Sequence, residues 1–306
     1  MSGNKGVWLL VFALCMAALM LAVPPGAFAG SGRGIPPERV VAAQKQHTEQ
    51  LLSIDGVVGT AAGADAVIVL AETPQAAGRV PRELGGVPVR PKVTGAIRAL
   101  VDATARFERP VPTGVSTGNE GQCSAGTIAC RVTDADGNAY ALSNNHVFAL
   151  ENAAATGSKV LQPGLYDTDC TFDESNVIGT LADFEPIVFD GQTENAMDAA
   201  VAAASVSQLG TATPADGYGT PSSQTVGAQL GQQVMKYGRT TNLTYGEVTG
   251  LNATVKVGYN AGTALFVDQI IVESRKPFIK PGDSGSLLVT EAGSNPVGLL
   301  FAGNDP

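Results

Sequence analysis

From Gly126 to the end, the chain is written in short β-type runs separated by turn signals, and long helical periodicity is nearly absent. The runs are 126–132, 139–142, 177–181, 234–237, 245–249, 265–272, 286–289 and 297–301. Apolar and β-branched runs bounded by Gly, Pro, Asn and Asp predict strands, and a succession of them without crossover helices predicts a sandwich or barrel. No segment of roughly 20 to 50 residues repeats, which argues against a solenoid or propeller.

The chain ahead of these runs has a different texture. Residues 1–29 read as a secretory signal peptide: Lys5 is followed by an apolar run from Val7 to Val23, then Pro24-Pro25-Gly26 and Ala27-Phe28-Ala29 as a cleavage signal. The expected location is therefore secreted, extracellular or periplasmic, with no stable membrane anchor after cleavage. Residues 30–106 read as a small α+β domain. Val40, Ala43, His47, Leu51 and Ile54 recur on one helical face between Pro37 and Ile54. The runs 57–62 and 66–71 follow as a hairpin, then a helix over 74–84 and a strand around Val87–Val93. Residues 107–119, punctuated by Pro110, Pro112, Gly114 and Gly118, read as a linker. Residues 120–306 form the β domain.

With 44% hydrophobic residues and mean hydropathy +0.12 over 306 positions, the chain can bury a sizeable core and is not a disordered protein. Its 19 basic and 28 acidic side chains give a net charge of −9, so nucleic acid is not the expected partner, because phosphate binding needs clustered Lys and Arg. The excess is local. Residues 30–110 carry 10 basic and 8 acidic groups, residues 111–306 carry 8 and 20. That contrast suggests an intramolecular contact in which the small domain serves as a prosegment docked on the β domain.

Cys123, Cys130 and Cys170 follow the signal segment. Export permits one disulfide among them, and three pairings are open. None has the spacing of a zinc site, so neither a metal nor a cofactor is expected. The acids between Asp167 and Glu174 read as a solvated loop.

One tetrapeptide carries chemistry. Gly282-Asp283-Ser284-Gly285 offers a tight, glycine-flanked turn that exposes a hydroxyl and frees backbone N–H groups for a developing oxyanion. A serine activated in the common way needs a base, and the chain has only two histidines. His47 belongs to the N-terminal helical face and reads as structural. His146, in Leu142-Ser143-Asn144-Asn145-His146-Val147, falls where a β-type run ends, a usual place for a scaffolded catalytic side chain. Asp198 is a lone charge within Ala196-Met197-Asp198-Ala199-Ala200-Val201, where an unpartnered carboxylate would be costly to bury.

The order His146, Asp198, Ser284 is one of the three chain orders known for a Ser/His/Asp triad. With it go Lys236-Tyr237-Gly238-Arg239-Thr240-Thr241, Gly246–Gly250 and Val297-Gly298-Leu299-Leu300-Phe301-Ala302-Gly303. On these segments the region from about Thr113 onward resembles a trypsin-like (chymotrypsin-fold) serine protease of a secreted bacterial type, preceded by a small domain. The resemblance implies two antiparallel six-stranded β-barrels and a secreted serine endopeptidase acting on a peptide or protein substrate. Ser284 would be the nucleophile, His146 the general base and Asp198 its orienting group, with the N–H groups of Gly282 and Ser284 forming the oxyanion hole. Leu300, Phe301, Ala302 and Gly303 would pair with an extended substrate, and Phe278 would sit at the pocket floor, disfavouring Arg or Lys. The chain departs from the family in having Asn144-Asn145-His146-Val147 where trypsins have Ala-Ala-His-Cys. Only 22 residues follow Ser284, so the second barrel is expected to be incomplete and the chain truncated. The alternative function is accordingly an inactive or weakly active protease-fold peptide-binding protein.

Overall fold

A computed structural model describes residues 35–95 and 101–303. The expected signal segment, residues 1–29, lies outside the described residues. No helix among the described residues is long and apolar enough to cross a membrane. By internal packing the chain divides into two units, residues 1–97 and 98–306.

The first unit is a helix on a small sheet. Helix α1 (Glu38–Leu52) turns Val40, Ala43 and Leu51 inward, while His47 stays only half-buried beside Gln50. Strands β1 (Val57–Ala62) and β2 (Val67–Ala71) pair as the expected antiparallel hairpin. Helix α2 (Pro74–Arg79) starts with Pro74 in its first turn and the Thr73 hydroxyl accepting from the Ala76 N–H at 3.1 Å. It is shorter than predicted because Val80, the residue before Pro81, is forced into an extended conformation. The chain then forms β3 (Glu83–Leu84) and β4 (Val87–Val93), giving the order β1-β2-β4-β3 with β4 parallel to β2.

The second unit is almost entirely β. Its first half holds β5 (Ser116–Asn119), β6 (Gly126–Thr127), β7 (Cys130–Thr133), β8 (Ala139–Ser143), the single helical turn α3 (Asn145–Phe148), β9 (Lys159–Leu161) and β10 (Val177–Phe184). After these come β11 (Asp190–Asn195) and β12 (Ala200–Ala203). Its second half holds β13 (Gln233–Gly238), β14 (Asn242–Tyr259), β15 (Gly262–Glu273), β16 (Leu287–Thr290) and β17 (Pro296–Leu299). Two sheets result, β6-β5-β9-β10-β12-β8-β7 and β11-β15-β14-β13-β16-β17. In the first sheet the two edge strands, β6 and β7, are separated in the chain by Ile128 and Ala129 alone, so the sheet must curl until its edges meet. In the second, the β14–β15 hairpin bends at register shifts around Gly250 and Ala253.

This is the mainly β, two-sheet architecture that the sequence suggests, with two differences of detail. The first sheet has seven strands rather than six, and β11 leaves the first half of the unit to run parallel with β15. The supposed linker at 107–119 is a further correction. Val111, Thr113, Val115 and Ser116 are fully buried, and the Ser-Thr-Gly-Asn stretch is strand β5 between β6 and β9. Gly118 permits this, since a Cβ there would sit 3.0 Å from Ser124 O.

The core of the first sheet is built from Val115, Ile128, Phe148, Val160, Ile178, Leu181 and Leu209, and Tyr237 reaches into it from β13. A second cluster, Ala129, Cys130, Met235, Leu287 and Val289, joins residues of both sheets. The two sheets are therefore one packed body, and the loops that end β8 and precede β12 and β16 meet at their junction.

Candidate active site

His146 lies in α3, directly beyond β8. The two asparagines before it are fully buried and hold the turn in place. Asn144 Nδ2 donates to the Asp198 backbone carbonyl at 2.8 Å, and Asn145 Nδ2 donates to Glu185 O at 2.7 Å. Amide side chains at these positions supply hydrogen bonds that alanines could not. The departure from the trypsin pattern thus has a structural use.

Asp198 sits in the loop entering β12 with a fully buried side chain. Its Oδ2 accepts from His146 Nδ1 at 2.5 Å and from the Tyr259 hydroxyl at 2.8 Å, and its Oδ1 accepts from the His146 N–H at 3.2 Å. Burial, then the charge of Asp198, push the Tyr259 phenol far above its ordinary pKa, so it stays a donor. The His146 ring is about one-fifth exposed, facing a cavity of about 520 Å³ that Ser284, Phe301, Ala302 and Gly303 also line.

Ser284 projects from the turn between Gly282, at φ +98°, and Gly285, at φ +94°. Gly285 is doubly constrained, because a Cβ there would collide with Thr127 O and Ser143 Oγ. The Ser284 hydroxyl donates to Phe301 O at 3.4 Å, not to His146. The N–H groups of Asp283, Gly285 and Ser286 are committed to Lys280 O, Leu300 O and Asp283 O. Those of Gly282 and Ser284 donate to no described residue.

The turn is held from beneath by a group that sequence reasoning passed over. Asp283 is completely buried and accepts from the backbone N–H groups of Thr240 at 2.8 Å, Thr241 at 3.1 Å and Lys280 at 2.9 Å, and from the Thr241 hydroxyl at 2.7 Å. Lys236 Nζ, also buried, lies 3.5 Å away. Burial lowers the Lys236 pKa to about 8 against the opposing pull of Asp283. The Lys236–Thr241 segment thus serves as the cradle of the turn that carries Ser284, and its placement ahead of the Gly-Asp-Ser-Gly sequence is the signal that could have found it.

A side junction comes from the first sheet. Thr127 Oγ1 donates to Gly282 O at 2.8 Å and accepts from the Arg239 N–H at 3.0 Å, while its own N–H donates to Ser284 O at 2.8 Å. Arg239 pairs through Nε and Nη2 with Asp167, whose side chain is only 8% exposed. The acidic segment 167–174 is therefore not simply a solvated loop. Its first member turns inward as a counter-ion, and Cys170, in the same segment, is disulfide-bonded to Cys123, leaving Cys130 as a buried free thiol.

Phe278 and Leu300 are set apart from the first cavity. They line an adjoining one of about 870 Å³, together with Asp198, Met197, Phe301 and Ala302. Phe278 itself is mostly spent on packing against Val234, Val248 and Leu288. Gly282 lines neither cavity. Its α-carbon faces Thr240 and Arg239.

Comparison with known proteins gives a partial match. Residues 188–305 match the family described as the Nal1 C-terminal domain, a span that includes Asp198 and Ser284 but not His146. No curated protein matches the chain. Among solved structures, Nocardiopsis protease (NAPase) is similar at 22% identity and a TM-score of 0.43, over 64% of this chain and 85% of that one. Cellulomonas bogoriensis chymotrypsin matches at 22% and 0.41 over 64% and 84%, and Thermobifida fusca protease A at 18% and 0.42 over 64% and 84%. At such values the chemistry has to be argued from the site itself.

Proposed function

We propose that the β unit is a serine endopeptidase working through His146, Asp198 and Ser284. The observation that carries this reading is the hydrogen bond from His146 Nδ1 to a buried carboxylate, with the other side of the ring open to the cavity that the Ser284 hydroxyl lines. A carboxylate on Nδ1 fixes the tautomer that leaves Nε2 free to accept a proton. Rotation of the Ser284 hydroxyl away from Phe301 O toward Nε2 would complete the relay, and such bonds commonly tighten only when substrate is bound.

In the proposed reaction Oγ attacks the substrate carbonyl carbon as its proton passes to His146. The carbonyl oxygen becomes an oxyanion that the uncommitted N–H groups of Gly282 and Ser284 would receive. His146 then returns the proton to the departing amine, and water, activated by the same imidazole, releases the acyl group from Ser284. An extended peptide would lie along Leu300–Gly303. The disulfide suits an oxidising compartment, which supports export.

Reaction with a fluorophosphonate probe tests the reading. Native protein is expected to be labelled at Ser284, and Ser284→Ala to lose labelling and peptide hydrolysis by up to about a millionfold. Folded wild-type protein that resists the probe would remove the enzymatic reading. Saturable peptide binding by wild type and Ser284→Ala alike, with hydrolysis by neither, would establish the binding-only alternative.

A further inference from the structure

The hydrogen bond from Tyr259 to Asp198 has no place in the three-residue scheme. Tyr259 ends β14, at the tip of the long β14–β15 hairpin, and thus comes from the sheet that does not carry His146 or Asp198. Two independent contacts pin this tip over the histidine. The Glu151 carboxylate, just beyond α3, accepts from the Asn260 N–H at 3.2 Å and the Ala261 N–H at 2.7 Å. The Tyr259 ring meets the His146 ring edge-on with centroids 5.8 Å apart, and is backed by Phe189 at 5.4 Å and Phe266 at 6.2 Å. At the end of this clamp the hydroxyl reaches Asp198 Oδ2 at 2.8 Å, the same oxygen that receives His146 Nδ1.

We propose that Tyr259 is a positioning residue of the site, a fourth member that fixes the Asp198 carboxylate and moderates its pull on His146. The proposal rests on the reading of His146, Asp198 and Ser284 as a triad. A buried carboxylate needs donors to remain charged, and a donor on Oδ2 shares the charge that would otherwise act on the Nδ1 proton. The charged and titratable groups around the ring are Asp198 from the loop before β12, Tyr259 from β14, Glu151 after α3, and Lys280 from the loop before Gly282, with Ser284 across the cavity. Of these, Tyr259 alone touches both the ring and its carboxylate. Without its hydroxyl, Asp198 is held less firmly and concentrates its charge on the His146 bond, so the imidazolium is favoured.

Tyr259→Phe removes the oxygen and keeps the ring packing. The expected result is a fall in kcat of about tenfold, the worth of one charge-assisted hydrogen bond, with KM near wild type and a Tm lower by only a few degrees. The acid limb of the kcat/KM profile and the NMR titration midpoint of the His146 ring should both move to higher pH. Tyr259→Leu, which loses the packing as well, should lower Tm further. A Tyr259→Phe protein with unaltered kcat and an unmoved midpoint would overturn the proposal, as would lowered kcat with an unmoved midpoint. The ring titration needs no turnover, so a wild-type protein that fails to hydrolyse or label overturns the protease reading while the midpoint comparison still decides the role of Tyr259.

Discussion

Lys236 and Asp283 form the most deeply buried ion pair among the described residues, with both side chains fully covered. A pair of this kind contributes little net stability, but losing one partner leaves the other charge stranded. Here the pair supports the turn that carries Ser284. Between about 8 and its ordinary 10.5, Lys236 holds its proton in the unfolded chain but releases it in the folded one. Stability from this group therefore rises as pH climbs through that window. Cys130, held up to about 11, and the buried tyrosines pull the other way in the same window, so the difference is what counts. In urea unfolding the stability of wild type relative to Lys236→Met should rise across the window by on the order of 3 kcal/mol. The sequence singled out His146, Asp198 and Ser284 because histidine is scarce and Asp198 is a lone charge in an apolar run. It concealed Tyr259 and Asp167, whose partners lie 61 and 72 positions away. A hydrophilic stretch such as 167–174 does not reveal which of its acids turns inward.

Elements were legible where apolar residues supplied the pattern. Helix α1, the β1–β2 hairpin and the runs that became β8, β10, β13 and β16 follow from it. Strands β5 and β11 escaped because Ser-Thr-Gly-Asn and Asp-Gly-Gln-Thr-Glu-Asn look like turns, and they are strands only through neighbours distant in sequence. The 18-residue length of β14 was hidden because most of its side chains alternate between half-buried and exposed rather than forming an apolar run. The segment around Asp167 is tied down by the Cys123–Cys170 disulfide across 47 positions. Closing a loop of that size removes about 4 kcal/mol of unfolded-chain entropy. The double variant Cys123→Ser/Cys170→Ser should lose up to that amount, lowering Tm by roughly 10 °C for a unit of this size. Cys130 should not compensate, since it is buried and its thiol is pushed up to about 11 by desolvation.

At the scale of the molecule, the two sheets share one site and neither holds it alone. His146 and Asp198 come from the first, Ser284 and Tyr259 from the second. Thr127, in a strand of two residues, touches Gly282, Arg239 and Ser284 across separations of up to 157 positions. Contacts so distant in the chain form late, because loop closure must come before their reward. In refolding from urea, far-UV circular dichroism should recover before fluorophosphonate reactivity at Ser284, and a coincident return of the two signals would contradict this order. Thr127 thereby acts as a safety catch. While either sheet is unformed, the turn carrying Ser284 lacks its clamp and His146 lacks its neighbours, so on the proposed reading a half-folded chain would carry no cutting edge to turn against itself.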